Sequence, residues 1–404
     1  MTTVKSQKLM SQEEQIELFE KTRAMVGAAD CTAAITFDTA NIAYATSMVF
    51  PYNEQYAEPR LGLVLFANSD KKPILFLPAV WSQLADQQGW KGDQIIYSVE
   101  DGLYPDGLVK RLAQALVNAG LSNAVIGYDR ETISQTVFGL LTTTLPDAKF
   151  VPLDDGWHDL RMIKTAAEVR MLEEAARQGD RALVSALNHS EGCAQDQLSY
   201  SLWEFAERIR VHVGEFGGSG TGQVAVMQGQ DMRVYSKPPQ GLMKPGCPLR
   251  AEFTSHHLGF WSSGARTLHV GAPAQIFSAA YQQNIDLKRK VLGYLRPGAI
   301  CSQIYQTIAD EAKSAGIDLW NAPGLGHGVG RSEREAPFLC PEDDTTLQPG
   351  MVIVVAIYTR GPSGELICSK DTVLINDSGF RLLSWYRDWD SKMYALVGIT
   401  ARHG

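Results

Sequence analysis

The sequence predicts an α/β N-terminal domain over residues 1–160 and an α+β C-terminal domain over residues 161–404. Three observations lead there. The chain has 404 residues, 45% of them hydrophobic, which is enough to fill two cores. Up to about residue 160, short apolar runs alternate with helical patterns, as in a layered α/β unit. Beyond that point helices and strands come in runs of like kind, the habit of an α+β domain.

Taken in order, "SQEEQIELFEKTRAMVGAAD" opens on a serine cap and spaces Ile16, Phe19, Met25 and Val26 as a helix does. The segments "AAITF", "LGLVLFA", "PILFLP" and "QIIYSV" are apolar and bounded by polar, Gly or Pro residues, so each reads as a strand. "DGLVKRLAQALVNAG" is a helix ending at Gly120, and "NAVIGYD" is a further strand. The domain division falls near "VPLDDGWHD". After it, "DLRMIKTAAEVRMLEEAARQGDRALVSAL" is a long helix with a Lys-Thr entry and charges along one face. "QLSYSLWEFAERIRVHV", "AAYQQNIDLKRKVLGYLRPGA" and "CSQIYQTIADEAKSAG" are helices. Strands broken by Gly and Pro lie between, and the chain closes with strands "GMVIVVAIYTRG" and "GELICSKDTVLIND".

Composition narrows the function. Against 45 acidic residues stand 37 basic ones, a net charge of −8 without a basic run. Such a chain gains no counterion-release energy on nucleic acid, so none is expected as a partner. No apolar run approaches the length of a membrane span, and the N-terminus has no apolar signal core. Six cysteines, at 31, 193, 247, 301, 340 and 368, form no CxxC pair and read as reduced thiols. A cytoplasmic protein is expected.

Several signposts of the second domain occur in one order: "RMIKTAAEVRMLEEAA", "LMKPG", "GFWSSGARTLHVG", "VLGYLRPGA", "GLGHGVGRSEREAP", "LQPGMVIVV" and "CSKDTVLIND". Together they resemble the pita-bread superfamily of methionine aminopeptidases, prolidases and creatinase. The first domain resembles the N-terminal domain of the prolidase and creatinase branch. Its "FDTANIAYATSM" is similar to creatinase-like dimethylsulfoniopropionate lyases. The resemblance implies a pita-bread C-terminal domain of catalytic type.

The metallopeptidases of that superfamily hold two metal ions with two aspartates, a histidine and two glutamates. On this chain the resemblance puts the first aspartate at Glu252 and the second, eleven residues on, at Ser263. The histidine is His327, and the glutamates fall at Ala356 and Lys370. An ammonium facing Glu252 and His327 repels a metal, so no metal and no cofactor are expected. A new ligand set drawn from Glu252, His256, His257, His327 and Asp371 is the alternative, against hairpin-turn roles for the two adjacent histidines. Creatinase is the superfamily's precedent for catalysis without metal. Its histidine matches Tyr235 and its two carboxylates match Ala265 and Ala356, so nothing would hold a guanidinium.

What survives is an arginine clamp, Arg60 and Arg334, whose planar forks suit a carboxylate. In the family the N-domain arginine reaches the partner subunit's pocket, which implies a homodimer. Trp261 matches an aromatic beside the creatinase substrate, and Tyr52, Tyr56, Trp81, Phe260 and Tyr235 could add to an aromatic wall. Arg266 is read as a support of the hairpin. His327, Glu252, Tyr235 and Lys370 are the candidate catalytic, proton-handling groups. A Lys370–Glu252 ion pair filling the old metal site is the structural alternative for two of them. The function expected from these residues is metal-independent hydrolysis of a non-peptide C–N bond in a small carboxylate-bearing molecule. A lyase acting on a betaine- or sulfonium-type carboxylate and a non-catalytic binding protein stand as alternatives. An Xaa-Pro peptidase is set aside on its missing ligands.

Overall fold

The computed structural model describes residues 10–50, 61–68, 70–195, 200–234, 236–384 and 393–396. The chain divides into two compact units, Met1–Arg161 and Met162–Gly404.

The first unit opens with α1 (Gln12–Ala28), β1 (Ala33–Thr36), α2 (Thr39–Thr46), β2 (Gly62–Phe66) and β3 (Ile74–Pro78). A short α3 (Leu84–Gln87), β4 (Asp93–Tyr97), α4 (Asp106–Asn118), β5 (Val125–Tyr128), α5 (Gln135–Thr144) and β6 (Lys149–Pro152) follow, and then α6 (Asp154–Met162). Ser11 caps α1 through a reciprocal pair with Glu14, at 3.2 and 2.9 Å. The six strands form one mixed sheet in the order β4-β3-β2-β1-β5-β6. One apolar layer, with Phe76, Leu112 and Leu116, and another, with Leu63, Leu75 and Trp157, fill the core.

The second unit begins with α7 (Ala166–Gln195) and α8 (Leu202–Glu215). The long helix expected from residue 159 is interrupted. Thr165 and Glu168 form a capping box that restarts the helix: the Thr165 amide donates to Glu168 Oε2 at 2.9 Å and the Glu168 amide to Thr165 Oγ1 at 3.3 Å. Just before it, Ile163 bridges Met351 as a short piece of sheet. Then come β7 (Gly220–Gln228), β8 (Pro248–His257), β9 (Phe260–Val270), α9 (Gln275–Tyr294) and α10 (Cys301–Ser314). The last elements are β10 (Gly326–Gly328), β11 (Glu335–Phe338), β12 (Val352–Arg360), β13 (Leu366–Asn376), β14 (Gly379–Leu382) and β15 (Ala395–Leu396).

Its sheet runs β11-β10-β12-β13-β9-β8-β7, with β14 on β13 and β15 on β9. Every residue of β9 is buried, and all but the first of β8, so the hairpin is covered on both faces. Polar side chains on such strands must find partners inside the protein. Among the described residues no helix is long and apolar enough to cross a membrane.

Candidate functional site

Sheet register gathers the site. Ala225, Glu252, Ala265, Lys370 and Ala356 are successive cross-strand neighbours on β7, β8, β9, β13 and β12. Residues opposite one another in a sheet share a face. Two residues along β12, Val354 pairs with His327 on β10, and two along β8, Thr254 pairs with Ser263 on β9. Period two keeps these on the same face, so Glu252, Ser263, His327, Ala356 and Lys370 converge although 118 positions separate the first from the last.

Glu252 and Lys370 stand two strands apart, about 9–10 Å between backbones. Lys370 spans that gap over the methyl of Ala265, and its Nζ lies 2.8 Å from Glu252 Oε2. Tyr358 donates its hydroxyl to the same oxygen at 2.5 Å. Arg250 Nε is 2.7 Å from Glu252 Oε1. Its N–H points off that line, so the contact is electrostatic rather than an aligned hydrogen bond. The remaining Arg250 donors reach the carbonyls of Asp231 and Arg233. Burial pushes the Glu252 carboxyl up, but Lys370, Arg250 and the hydrogen bonds outweigh it and hold the group below its ordinary range. Glu252 is therefore an ionised carboxylate flanked by two cations.

Asp371 follows Lys370 on β13 and so faces the other side of the sheet. Arg266 Nη2 donates to its Oδ1 at 2.6 Å, and Lys288 of α9 donates to Oδ2. These two cations overcome burial and keep Asp371 ionised. Among the described residues, no group of three or more His, Cys, Asp and Glu side chains is arranged to hold a metal ion.

His327 is buried on β10 between glycines. Its Nδ1 donates to the Gly328 carbonyl at 2.9 Å, which leaves Nε2 as the accepting nitrogen. Burial and the Arg334 guanidinium, helped by Lys370, push the imidazole down to about 3, so it is neutral at physiological pH. The loop after β10 is anchored from below: Lys164 Nζ meets Glu335 Oε1 at 2.7 Å with both side chains buried. Gly330 is needed there, because a Cβ would come within 2.3 Å of Glu335 Oε1. On the same loop, Glu333 Oε1 accepts from Thr254 Oγ1 at 2.9 Å.

These groups line one small, open pocket, with Gln223, Glu252, Phe253, Thr254, Ser263, His327, Glu333, Arg334 and Lys370 in its walls. The structure thus brings together four sequence candidates, His327, Glu252, Lys370 and Arg334. Trp261 is buried on β9, its ring 4.4 Å from that of His256, and it is not among the pocket-lining residues. His256 is pushed down to about 4 by burial and Arg331, and His257 shares Gln178 and Gly217 as partners, so both serve the hairpin. Tyr235, Arg60, Tyr52 and Tyr56 lie outside the described residues.

Sequence reasoning missed Arg250, Thr254, Gln223 and Tyr358, and offered Glu333 as an ion-pair partner of Arg334 rather than as a wall of the pocket. Arg250 and Thr254 stand two residues either side of Glu252, so strand period alone would have found them. Glu333 directly precedes Arg334. Gln223 gives no such signal, because it sits in the irregular register between Thr221 and Val224.

A sheet-borne pocket of this kind, preceded by an α/β unit, defines a two-domain protein of the creatinase and prolidase type. Residues 19–163 match the creatinase/prolidase N-terminal domain, and residues 170–377 match metallopeptidase family M24. The chain belongs to family M24, and its C-terminal unit has the pita-bread fold. It is 24% identical over 285 residues to the uncharacterized peptidase YqhT of Bacillus subtilis, covering 69% of this chain and 77% of that one. It is 22% identical over 321 residues to an Xaa-Pro dipeptidase of Lactobacillus delbrueckii subsp. lactis, covering 78% and 84%. A solved Xaa-Pro dipeptidase from Bacillus anthracis superimposes with a TM-score of 0.77 at 17% identity, over 95% of this chain and all of that one.

These relatives correct the function expected above. Hydrolysis of a C–N bond other than a peptide bond, with its lyase and non-catalytic alternatives, conflicts with a set of relatives that are peptidases. The physical reason is that a few pocket side chains can differ while similarity over most of the chain is kept.

Proposed function

We propose that the chain hydrolyses the peptide bond of a short peptide bearing a free carboxylate, in the pocket of Arg334, Lys370, Glu252 and His327. The observation that carries this reading is the convergence of those four side chains in one small cavity of an M24-family chain. The reading includes loss of the superfamily's dinuclear metal centre. The residues present do not fit one: Glu252 is already held by Lys370, Arg250 and Tyr358, and Asp371 by Arg266 and Lys288. A divalent ion reaching Glu252 would meet two fixed cations, and unit charges about 4 Å apart interact by about 4 kcal/mol at an effective dielectric of about 20.

In this mechanism Arg334 takes the peptide carboxylate through paired hydrogen bonds. The Lys370 ammonium faces the oxygen of the scissile carbonyl and stabilises the negative charge that builds there. Glu252 and Tyr358 fix the ammonium rather than moving protons. His327 Nε2 takes a proton from the attacking water as the C–O bond forms and returns it to the amide nitrogen as the C–N bond breaks, so the amine leaves neutral. Burial is the larger cause that holds His327 down, and a carboxylate seated on Arg334 offsets the guanidinium's share, so its proton affinity rises when substrate is bound. We extend the proposal to a cytoplasmic homodimer in which Arg60 of each protomer completes the carboxylate clamp. Sedimentation of wild-type protein as a monomer would remove that extension.

The test is a panel of short peptides, Xaa-Pro dipeptides included, assayed by amino-acid release. Wild type is expected to turn over at least one. His327→Ala should lower kcat by about 100-fold or more while binding persists. Arg334→Ala should raise KM by roughly 10–100-fold, the loss of a charged hydrogen-bonded contact. No release from any peptide overturns the reading.

A further inference from the structure

The sheet of the second unit is zipped unevenly. β8 and β9 share ten register pairs and β12 and β13 share nine, but β9 and β13 share one, Ala265 with Lys370. The sheet therefore consists of two well-bonded halves joined at a seam. Side chains stitch it. Thr267 Oγ1 accepts from the Cys368 amide at 2.8 Å and donates to the Cys368 carbonyl at 3.0 Å. Thr372 Oγ1 donates to the Ser263 carbonyl at 3.1 Å. Arg266 Nη1 donates across the seam to the Lys370 carbonyl at 2.5 Å and to its own side at the Ala265 carbonyl, 2.7 Å away.

The pocket straddles this seam. Gln223, Glu252, Thr254 and Ser263 come from one half, and His327, Glu333, Arg334 and Lys370 from the other. Their mutual distances are set by how the halves are held. On the pocket face the Lys370–Glu252 ion pair crosses, with the Tyr358–Glu252 and Thr254–Glu333 hydrogen bonds beside it. On the reverse face Asp371 is gripped by Arg266 from β9 and by Lys288 from α9, whose side chain is fully buried. Asn284, one turn earlier on α9, donates to the Ile357 carbonyl and Thr359 Oγ1 and accepts from Ser369 Oγ. A buried lysine carrying no contact with the pocket is costly unless its partner needs it.

We propose that Arg266, Asp371 and Lys288 are positioning residues: a clamp on the reverse face that fixes the seam and, through the Lys370 backbone, the place of the Lys370 ammonium against Glu252 and His327. The inference uses the peptide-hydrolysis reading for its kinetic readout. A spectroscopic one keeps the two separable.

Two variants test it. Lys288→Met keeps the stem and removes the charge, and Thr267→Val removes a stitch without changing shape. Each is assayed for kcat and KM on the best peptide found for wild type. Each is also examined by the carbon NMR signal of the His327 ring in histidine-labelled protein, assigned with His327→Ala. A clamp predicts a kcat lowered roughly 10–100-fold, as small misplacements of reacting groups do, with KM changed less than about twofold. It also predicts a His327 signal displaced in the direction seen for Lys370→Met. If Lys288→Met does not fold, Arg266→Lys, which keeps the charge but shortens the reach to Asp371, carries both readouts. A lower Tm with wild-type kcat and an unmoved His327 signal overturns the clamp and leaves a purely structural role. If wild type cleaves no peptide, the His327 signal still decides: displacement supports the clamp, and its absence overturns it.

Discussion

Lys370 is held by its ion pair with Glu252 and by the small neighbours that make room for it. Its neighbours in register are two alanines, Ala265 and Ala356, and the ammonium crosses one of them to reach Glu252. Removing one member of a buried pair costs about 3–5 kcal/mol where it strands the other charge, an upper bound here because Arg250 still faces Glu252. Lys370→Met should therefore destabilise the second unit by up to that order in urea unfolding. Lys370→Met combined with Glu252→Gln should recover a good part, because the amide still accepts from Tyr358 and no buried anion is left. A coupling energy of about 1 kcal/mol or more between the two sites is expected for residues in direct contact. Strict additivity would mean that the ion pair is not formed in solution.

At the scale of elements, the hairpin of β8 and β9 is the frame on which the pocket hangs, and its turn is strained. Leu258 and Gly259 both have positive φ, 50° and 85°, as a two-residue hairpin turn requires. Glycine adopts that conformation freely, whereas for leucine it costs roughly 1–2 kcal/mol. Leu258→Asn, which tolerates it, is expected to stabilise the protein by about 1 kcal/mol, seen as a higher Tm. An unchanged or lower Tm would show that the half-buried leucine contributes more by packing than it loses by strain. The strands of this hairpin were readable from their Gly and Pro punctuation, and α1 from its serine cap, whereas one continuous helix was expected where Thr165 and Glu168 restart α7. Other elements gave no such signal. In α2, six of eight residues are buried, so no polar face exists to betray a helical period. Glu252 and Lys370 were singled out through family motifs, their ion pair standing there as the structural alternative to a catalytic role. Tyr358 and Lys288 were not, because they reach Glu252 and Asp371 across 106 and 83 residues of chain, by register and packing that no local pattern encodes.

The two units of the molecule should answer pH in opposite senses. In the first, Asp129 is buried, accepts from Thr36 and faces Asp38, whose nearest cation is Arg161 at 3.8 Å. Burial, with Asp38 adding to it, raises the Asp129 carboxyl to about 7. The folded unit therefore binds a proton that the unfolded chain releases near pH 4, so this stability is full below about pH 4 and is lost as pH rises through about 7. A shift of roughly three units is on the order of 4 kcal/mol. In the second unit the histidines reverse the sign, while Glu168, raised by burial, acts in the same sense as Asp129. His327 and His256 are pushed down to about 3 and about 4, chiefly by burial, so the unfolded chain takes up their protons first. Their contribution is full above about pH 6.5 and is lost as pH falls. The depressed carboxyls of Glu252 and Asp371 add nothing across this window, because they remain ionised in both states until about pH 4. Scanning calorimetry between about pH 4.5 and about pH 7.5 should then show one transition falling and another rising as pH increases. Asp129→Asn, which mimics the protonated carboxyl, should flatten the falling transition and leave the rising one untouched. Two transitions moving together, or a falling one that survives Asp129→Asn, would refute this division of the linkage between the units.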